Sequence, residues 1–172
     1  MLSIETDRLI LRELTLADID GMFELDADHE VVKYLGQKPF TSKEQSAAVI
    51  NSLLQQYAEN NIGRWAVIEK ASNEFIGWSG LKLITEPVNG QVNYYDVGYR
   101  LIRRFWGKGY ATESAKAAIQ YGFDTLKADT IYGMCHVNNA GSEKVLEKLG
   151  LKCMETFELR GLPHKWFRID KS

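Results

Sequence analysis

The sequence predicts a mixed α/β fold, a central sheet of parallel and antiparallel strands flanked by helices, and three observations carry that prediction. Strand-like segments follow one another as a meander up to residue 102; from there strands and helices alternate β-α-β-α-β; and no repeat, low-complexity stretch or linker interrupts the chain. This order fits neither a sandwich nor a barrel. One continuous domain over residues 1–172 is the simplest organisation.

Residues 8–13 alternate as a first strand. Thr15-x-x-Asp18 marks the start of a helix through Leu25, with acid in its first turn. Thr41-x-x-Glu44 is a capping-box pattern, and Ala48, Leu53, Leu54 and Tyr57 set an apolar stripe on the helix that follows. Residues 64–69 and 75–83 read as strands joined through Ala71-Ser72-Asn73-Glu74, and Tyr94 to Ile102 as another. Beyond it the pattern predicts a helix at 109–126, a strand at 130–136, a helix at 139–149, and strands near 151–159 and 165–169. Pro39, Pro87 and Pro163 fall in loop-like places.

With 172 residues, 45% hydrophobic and 26% charged, the chain has enough apolar material for a sizeable core and nothing that suggests disorder. A net charge of −2 argues against a nucleic-acid partner. Arg100, Arg103, Arg104 and Lys108 nevertheless form a local basic cluster, which suits either a bound phosphate or a solvated face. The opening Met1 to Glu5 lacks the charged and apolar regions of a signal peptide, and no apolar run approaches about 18 residues. No membrane partner is expected, and a cytoplasmic location is. Cys135 and Cys153 lie far apart in strand-like stretches, with no C-x-x-C pair and too few histidines for a zinc site. Both are expected to be buried thiols, and no metal is expected.

The most informative stretch is Arg104-Phe105-Trp106-Gly107-Lys108-Gly109-Tyr110-Ala111-Thr112, set between a strand and a long helix. A tight glycine turn that opens a helix presents unpaired N–H groups at the positive end of the helix dipole, which is a pyrophosphate site. A P-loop would need Lys followed by Ser or Thr, whereas Lys108 is followed by Gly109. The dinucleotide fingerprint matches at Gly107 and Gly109 only, because Thr112 holds its third place and Asp129 opens the next strand instead of closing it.

The run resembles the R/Q-x-x-G-x-G/A signature of GNAT N-acetyltransferases, with Arg104, Gly107 and Gly109 in register and Tyr110 to Glu113 following as in many members. Further pieces, in the same order, look like the RimJ/RimL-type branch: Thr6 to Arg12, Phe75-Ile76-Gly77, Val97-Gly98-Tyr99, Asn139 to Ser142, and Glu147 to Leu151. The resemblance implies the GNAT fold, in which two central parallel strands, here 94–102 and 130–136, splay apart and admit acetyl-CoA. It also implies an amine acceptor, a protein N-terminus or a small primary amine, and a monomer or homodimer.

Transfer of an acetyl group to an amine sets three demands: a neutral amine, donors for the developing oxyanion, and a proton for the departing thiolate. For the base, Asp96 stands just before Val97-Gly98-Tyr99, where related sequences carry Glu; its plain alternative is a solvated strand-edge residue, with Glu74 and His136 as weaker substitutes. For the oxyanion and pantetheine, the resemblance points to the peptides of Leu101, Ile102 and Arg103. For the thiolate, Asn139 and Ser142 stand three apart at a helix start, with Asn139 equally an N-cap. Family members commonly place a tyrosine seven residues after this asparagine, and Leu146 stands there instead, leaving Ser142 as donor with Cys135 or water behind it.

Around the glycine turn, Arg104 and Lys108 add charge, Phe105 and Trp106 are expected in packing or on the adenine side, and Glu113 is a first-turn dipole partner. Trp65, Trp78 and Trp166 suit either an acceptor cleft or the core. Two other readings stay open: a catalytically weak acyl-CoA-binding sensor, and a dinucleotide-binding module.

Overall fold

A short strand β1 (Ser3–Glu5), too brief for alternation to signal, pairs antiparallel with β2 (Leu9–Glu13). The structure, a computed structural model, describes residues 2–172; Met1, the first residue of the opening segment that lacks signal-peptide features, lies outside the described residues. A single 3-10 turn at Leu16–Asp18 leads into α1 (Ile19–Asp26), and its start is the one expected: Thr15 Oγ1 accepts from Ala17 N at 3.2 Å, and the Asp18 carboxylate accepts from Thr15 N at 2.9 Å. A four-residue helix α2 (His29–Val32) follows.

The long helix α3 (Lys43–Asn60) begins one residue later than the Thr41-x-x-Glu44 box implies. Ser42 is the N-cap, and the Gln45 side chain accepts from Ser42 N at 3.1 Å and Thr41 N at 2.7 Å. Both Thr41 and Ser42 can cap, and one glutamine oxygen serves both amides. The inward stripe is correspondingly different. Ser46, Ile50 and Leu53 are buried with Tyr57 partly so, while Ala48 and Leu54 face solvent, because a small polar residue, Ser46, opens the buried row.

Strands β3 (Trp65–Glu69), β4 (Glu74–Ile84) and β5 (Tyr94–Leu101) continue the antiparallel meander. After β5 come α4 (Tyr110–Asp124), β6 (Thr130–His136), α5 (Ala140–Lys148), and the hairpin β7 (Lys152–Leu159) and β8 (Leu162–Asp170). The eight strands form one mixed sheet in the order β1-β2-β3-β4-β5-β6-β8-β7, with β5 and β6 parallel. Pro163 lies inside β8, not in a loop. Its carbonyl accepts from Val137 N at 3.1 Å just past the end of β6, so its missing N–H falls at the end of that ladder, which is tolerated, and not inside it.

α4 packs across the sheet on β4 and β5, and Gly122 lets it sit close: a Cβ there would come within 2.8 Å of Leu81 and Ile131. Helices α1 and α3 pack together, with α1 against β4. The core includes Leu9, Leu11, Leu14, Trp65, Leu81, Ile131 and Phe167, all at most 1% exposed. Among the described residues, no helix is long and apolar enough to cross a membrane.

β5 and β6 pair only through Tyr95↔Ile131, Asp96↔Tyr132 and Val97↔Gly133, although β5 runs on to Leu101 and β6 to His136. Beyond Val97 and Gly133 the two strands part, opening a fork in the sheet.

Candidate active site

The glycine turn closes the open end of β5. Arg103–Phe105 forms a 3-10 turn, Gly107 and Gly109 take φ of 75° and 82°, and Gly109 is the N-cap of α4. Positive φ is strained for any residue with a Cβ, and at Gly107 a Cβ would meet nothing within 4 Å, so the glycine serves conformation and exposure. The first helical bond runs from Glu113 N to Gly109 O at 3.0 Å, which leaves the amides of Tyr110, Ala111 and Thr112 without an intrahelical acceptor. A glycine N-cap has no side chain to fill that role. The arrangement is an open anion cradle at the positive end of a fifteen-residue helix.

The cradle is braced from behind by a residue that sequence reasoning missed. Arg8 donates to Lys108 O at 2.9 Å, pairs with Glu113 at 2.7 Å, and lies 4.4 Å from the Tyr110 ring centroid. Thr6 Oγ1 and the Arg8 amide also donate to Glu113. Burial would raise the Glu113 carboxyl, but these donors outweigh it and hold its pKa below the ordinary value. Glu113, expected as a partner of the helix dipole, is a clamp that ties the first turn to Thr6 and Arg8. Tyr110 sends its hydroxyl to the buried Glu69 carboxylate, whose pKa is lowered by that bond and by one from Ser72, so only the Tyr110 backbone faces the cradle.

The basic cluster does not stand free at the turn. Arg100 pairs with Asp26 at 2.7 Å, Arg103 with Asp28 at 2.9 Å, and Arg104 with Glu24 at 3.2 Å and Glu74 at 3.4 Å. The acids of α1, α2 and the start of β4 neutralise the three arginines and tie those elements to the end of β5. Among the described residues, Lys108 is the member of the cluster without a carboxylate partner. Phe105 is buried beneath Arg104 and Lys108, whereas Trp106 is 46% exposed with its Nε1–H donating to Leu101 O at 2.8 Å.

Within the fork, the ladder phase decides which amides are free. Ile102 N donates to Ile76 O at 2.9 Å, so this amide is not available to a ligand, contrary to expectation. Antiparallel pairing then directs Arg100 and Gly98 towards β4, and turns the N–H groups of Tyr99 and Leu101 into the fork. The amides of Leu101 and Tyr99 thus face the fork, and Arg103 lies beyond the strand in the 3-10 turn.

Asn139 caps α5, its Oδ1 accepting from Ser142 N at 3.2 Å. Ser142 is partly buried, and the Tyr99 hydroxyl lies 2.9 Å from both Ser142 Oγ and Ser142 O. Leu146 is 1% exposed, and a Cβ at Gly133 would lie 3.0 Å from its Cδ2 and 3.2 Å from Val97. It plugs the floor of the fork. Cys135 is buried, and burial pushes its thiol up to about 11, which suits a packing thiol better than a donor or nucleophile. Cys153, expected to be buried, is exposed on the edge strand β7.

On the opposite face of β5 lies Asp96, which is no solvated strand-edge residue: it is 4% exposed. Its Oδ2 accepts from Arg64 Nη2 at 2.6 Å, while its buried Oδ1 has no partner among the described residues. Burial pushes the carboxyl above the ordinary carboxylate range, against the opposing pull of Arg64 and Lys82. Of the substitutes, Glu74 is exposed and held by Arg104, and His136 lies at the end of β6, its Nδ1 accepting from Asn138 N. Trp78 lies beside Arg64 and Arg100, at 5.4 and 5.0 Å, whereas Trp65 is core and Trp166 packs with Tyr94, Tyr132 and Phe157. Among the described residues, no group of three or more His, Cys, Asp or Glu side chains comes together as a metal site.

Residues 8–152 match the model of the acetyltransferase (GNAT) domain family. An uncharacterized N-acetyltransferase p20 of Bacillus licheniformis is 34% identical over 152 residues, covering 88% of this chain and 83% of that protein. FsC-acetyl coenzyme A-N(2)-transacetylase of Aspergillus fumigatus is 31% identical, covering 90% of this chain and 67% of that protein. Among solved structures, RimL, a ribosomal L7/L12 alpha-N-protein acetyltransferase in complex with coenzyme A, superposes with a TM-score of 0.82 at 18% identity, covering 98% of each chain. At that identity the likeness speaks for the fold.

Proposed function

Because the chain belongs to the acetyltransferase (GNAT) family and is an N-acetyltransferase, we propose that it moves an acetyl group from acetyl-CoA directly to a primary amine in a ternary complex, as a member of the RimJ/RimL-type branch. The observation that carries this reading is the alignment of an open anion cradle with a fork in the sheet. The amides of Tyr110, Ala111 and Thr112, with the turn Gly107-Lys108-Gly109, suit the diphosphate, and the Tyr99 and Leu101 amides suit the pantetheine arm and the thioester carbonyl. Acetyl-CoA supplies the activated acyl group.

Asp96 Oδ1 takes a proton from the acceptor ammonium, directly or through one water, and so exposes the nitrogen lone pair. As the C–N bond forms, the C–S bond breaks, the sulfur keeps the electron pair and gains negative charge, and the second proton shed by the acylated nitrogen passes to the sulfur, so that amide and thiol leave neutral. Ser142 and Tyr99 provide hydroxyls on the α5 side of the fork for that charge. Tyr99 has one proton and two acceptors within 2.9 Å, so when it donates to Ser142 Oγ, the serine proton is released for the sulfur.

The acceptor is an amine without a large positive charge, a peptide N-terminus or a small monoamine. Asp96 and Asp26, two buried acids near Trp78 through Arg64 and Arg100, are each matched by an arginine, which leaves them little attraction for a polycation. Two relatives named spermidine N(1)-acetyltransferase, from Escherichia coli, share only 25% identity. Acetyl-CoA consumption measured against peptides of varied N-termini, a panel of monoamines and spermidine tests this. Turnover confined to spermidine would overturn the acceptor class, and wild-type turnover by Asp96→Asn at every pH would overturn the base.

A further inference from the structure

The geometry points to Arg64 as a positioning residue for the reaction: it holds one oxygen of Asp96 and thereby presents the other to the acceptor. This inference rests on the proposed role of Asp96 as base and extends it to a residue 32 positions away in sequence.

The guanidinium is fixed largely by main chain. Arg64 Nη1 donates to Gly80 O at 2.7 Å and Asp96 O at 2.5 Å, and Nη2 donates to Asp96 Oδ2 at 2.6 Å. Two backbone carbonyls on adjacent strands thus locate the group independently of the aspartate side chain. It lies over Gly98, where a Cβ would come within 2.9 Å of Nη2, so the sheet leaves room for it at that position. The guanidinium fork is rigid, and its two ends determine where Oδ2 sits.

A purely structural buried ion pair satisfies both carboxylate oxygens, because an orphaned acceptor in low dielectric costs free energy. Here Oδ1 is buried and unpartnered, and it is the atom of the pair left for an ammonium or a water. The charged groups that act on Asp96 are Arg64, from the segment before β3, and Lys82, opposite it on β4; burial first and Asp96 in turn raise the phenols of Tyr94 and Tyr99 on β5 itself. Of these, Arg64 alone bonds the carboxylate. Arg64 therefore does two things: it fixes the rotamer of the base, and it favours the ionised form that burial disfavours.

The test compares Arg64→Met and Arg64→Lys with wild type in kcat, in KM for acetyl-CoA and in the pH profile of kcat/KM, with circular dichroism to verify folding. Arg64→Met is expected to lower kcat about tenfold or more and to shift the acid limb to higher pH, with KM for acetyl-CoA within about twofold. Arg64→Lys keeps the charge and loses the fork, so its limb stays near wild type while kcat remains reduced. A uniform loss in both variants with no movement of the limb assigns Arg64 to structure alone and overturns the inference, as does a wild-type rate in Arg64→Met. If Arg64→Met does not fold, Arg64→Lys decides: wild-type kcat there overturns the inference. Asp96→Asn separates the layers, since its full activity would remove the base reading, whereas its inactivity beside a fully active Arg64→Met would remove only the role of Arg64.

Discussion

The Tyr99 hydroxyl stands 2.9 Å from both the hydroxyl and the carbonyl oxygen of Ser142, joining β5 to α5 across the open end of the fork. Burial pushes the Tyr99 phenol far above its ordinary range despite the bond to Ser142, so at neutral pH it acts as a hydrogen-bond donor and never as an anion. Tyr99→Phe removes the partner that releases the serine proton. Its expected outcome is a fall in kcat of about tenfold with KM for acetyl-CoA unchanged, and a stability loss of about 1 kcal/mol by thermal melting. A full rate in Tyr99→Phe would leave the thiolate to water.

The two glycines of the cradle separate conformation from contact. Gly107→Ala and Gly109→Ala each force a Cβ residue to hold positive φ, at a cost of about 1–2 kcal/mol, and at 107 there is no neighbour for the methyl to strike. The melting temperature should therefore fall by only about 2–8 °C. Coenzyme A affinity measured by calorimetry should fall at least about tenfold, because the added methyl stands in the exposed cradle and the strained turn holds its amides less firmly at one point. Unaltered affinity in both variants would place the diphosphate elsewhere.

Acid sensitivity should appear where Glu113 ties the start of β2 to the first turn of α4. Its folded pKa lies below the unfolded value of 4.5, so the unfolded chain binds more protons between the two and stability rises with pH across that window. The contribution is fully present above about 4.5 and is lost as pH falls through the folded pKa. Glu113→Gln should cost about 1 kcal/mol at pH 7, a figure kept small because Arg8 is 46% exposed, and should flatten the acid side of the melting-temperature profile. Parallel profiles for the two proteins below pH 4.5 would show that the clamp adds nothing there.

What the sequence made legible follows from how local each signal is. The strand over 130–136 is read residue for residue and the helix expected at 139–149 to within one residue at each end, because alternation and an N-cap act within a few positions. The glycine turn is equally local. The error at α3 has the same origin in reverse: Thr41 and Ser42 are adjacent cap formers, and the choice between them depends on whether Ser46 and Ile50 or Ala48 and Leu54 meet the core, which is tertiary information. Cys153 reads as apolar strand yet sits on the edge strand β7, because being an edge is a property of the whole sheet. The candidate site divides along the same line. Asp96 and Ser142 are visible through motif position, whereas the arginines at 100, 103 and 104 look free until α1 and α2 bring their carboxylates to them. Tyr99 closes the Val97-Gly98-Tyr99 motif, and strand alternation already separates its face from that of Asp96; its meeting with Ser142 across 43 residues carries no sequence signal. Arg8 and Arg64 bond partners 105 and 32 residues away, a separation that no local pattern signals.

Gly98 offers the sharpest check on the face of β5 that carries Asp96. An alanine there would put its Cβ 2.9 Å from Arg64 Nη2 and 3.0 Å from Cζ, so the guanidinium must move. A free arginine would swing away at little cost, but this one is held by Gly80 O, Asp96 O and Asp96 Oδ2, and moving it disrupts those bonds together. Gly98→Ala should lose about 1–3 kcal/mol of stability and reduce turnover in the manner of an Arg64 substitution. The same change made in an Arg64→Ala background meets open space, so its cost there should shrink by about 1–2 kcal/mol, a coupling read from a double-mutant cycle of melting curves. Equal costs in both backgrounds would mean that the glycine serves the strand alone. Coupling in stability without coupling in kcat would mean that the arginine is packed against the base and does not aim it.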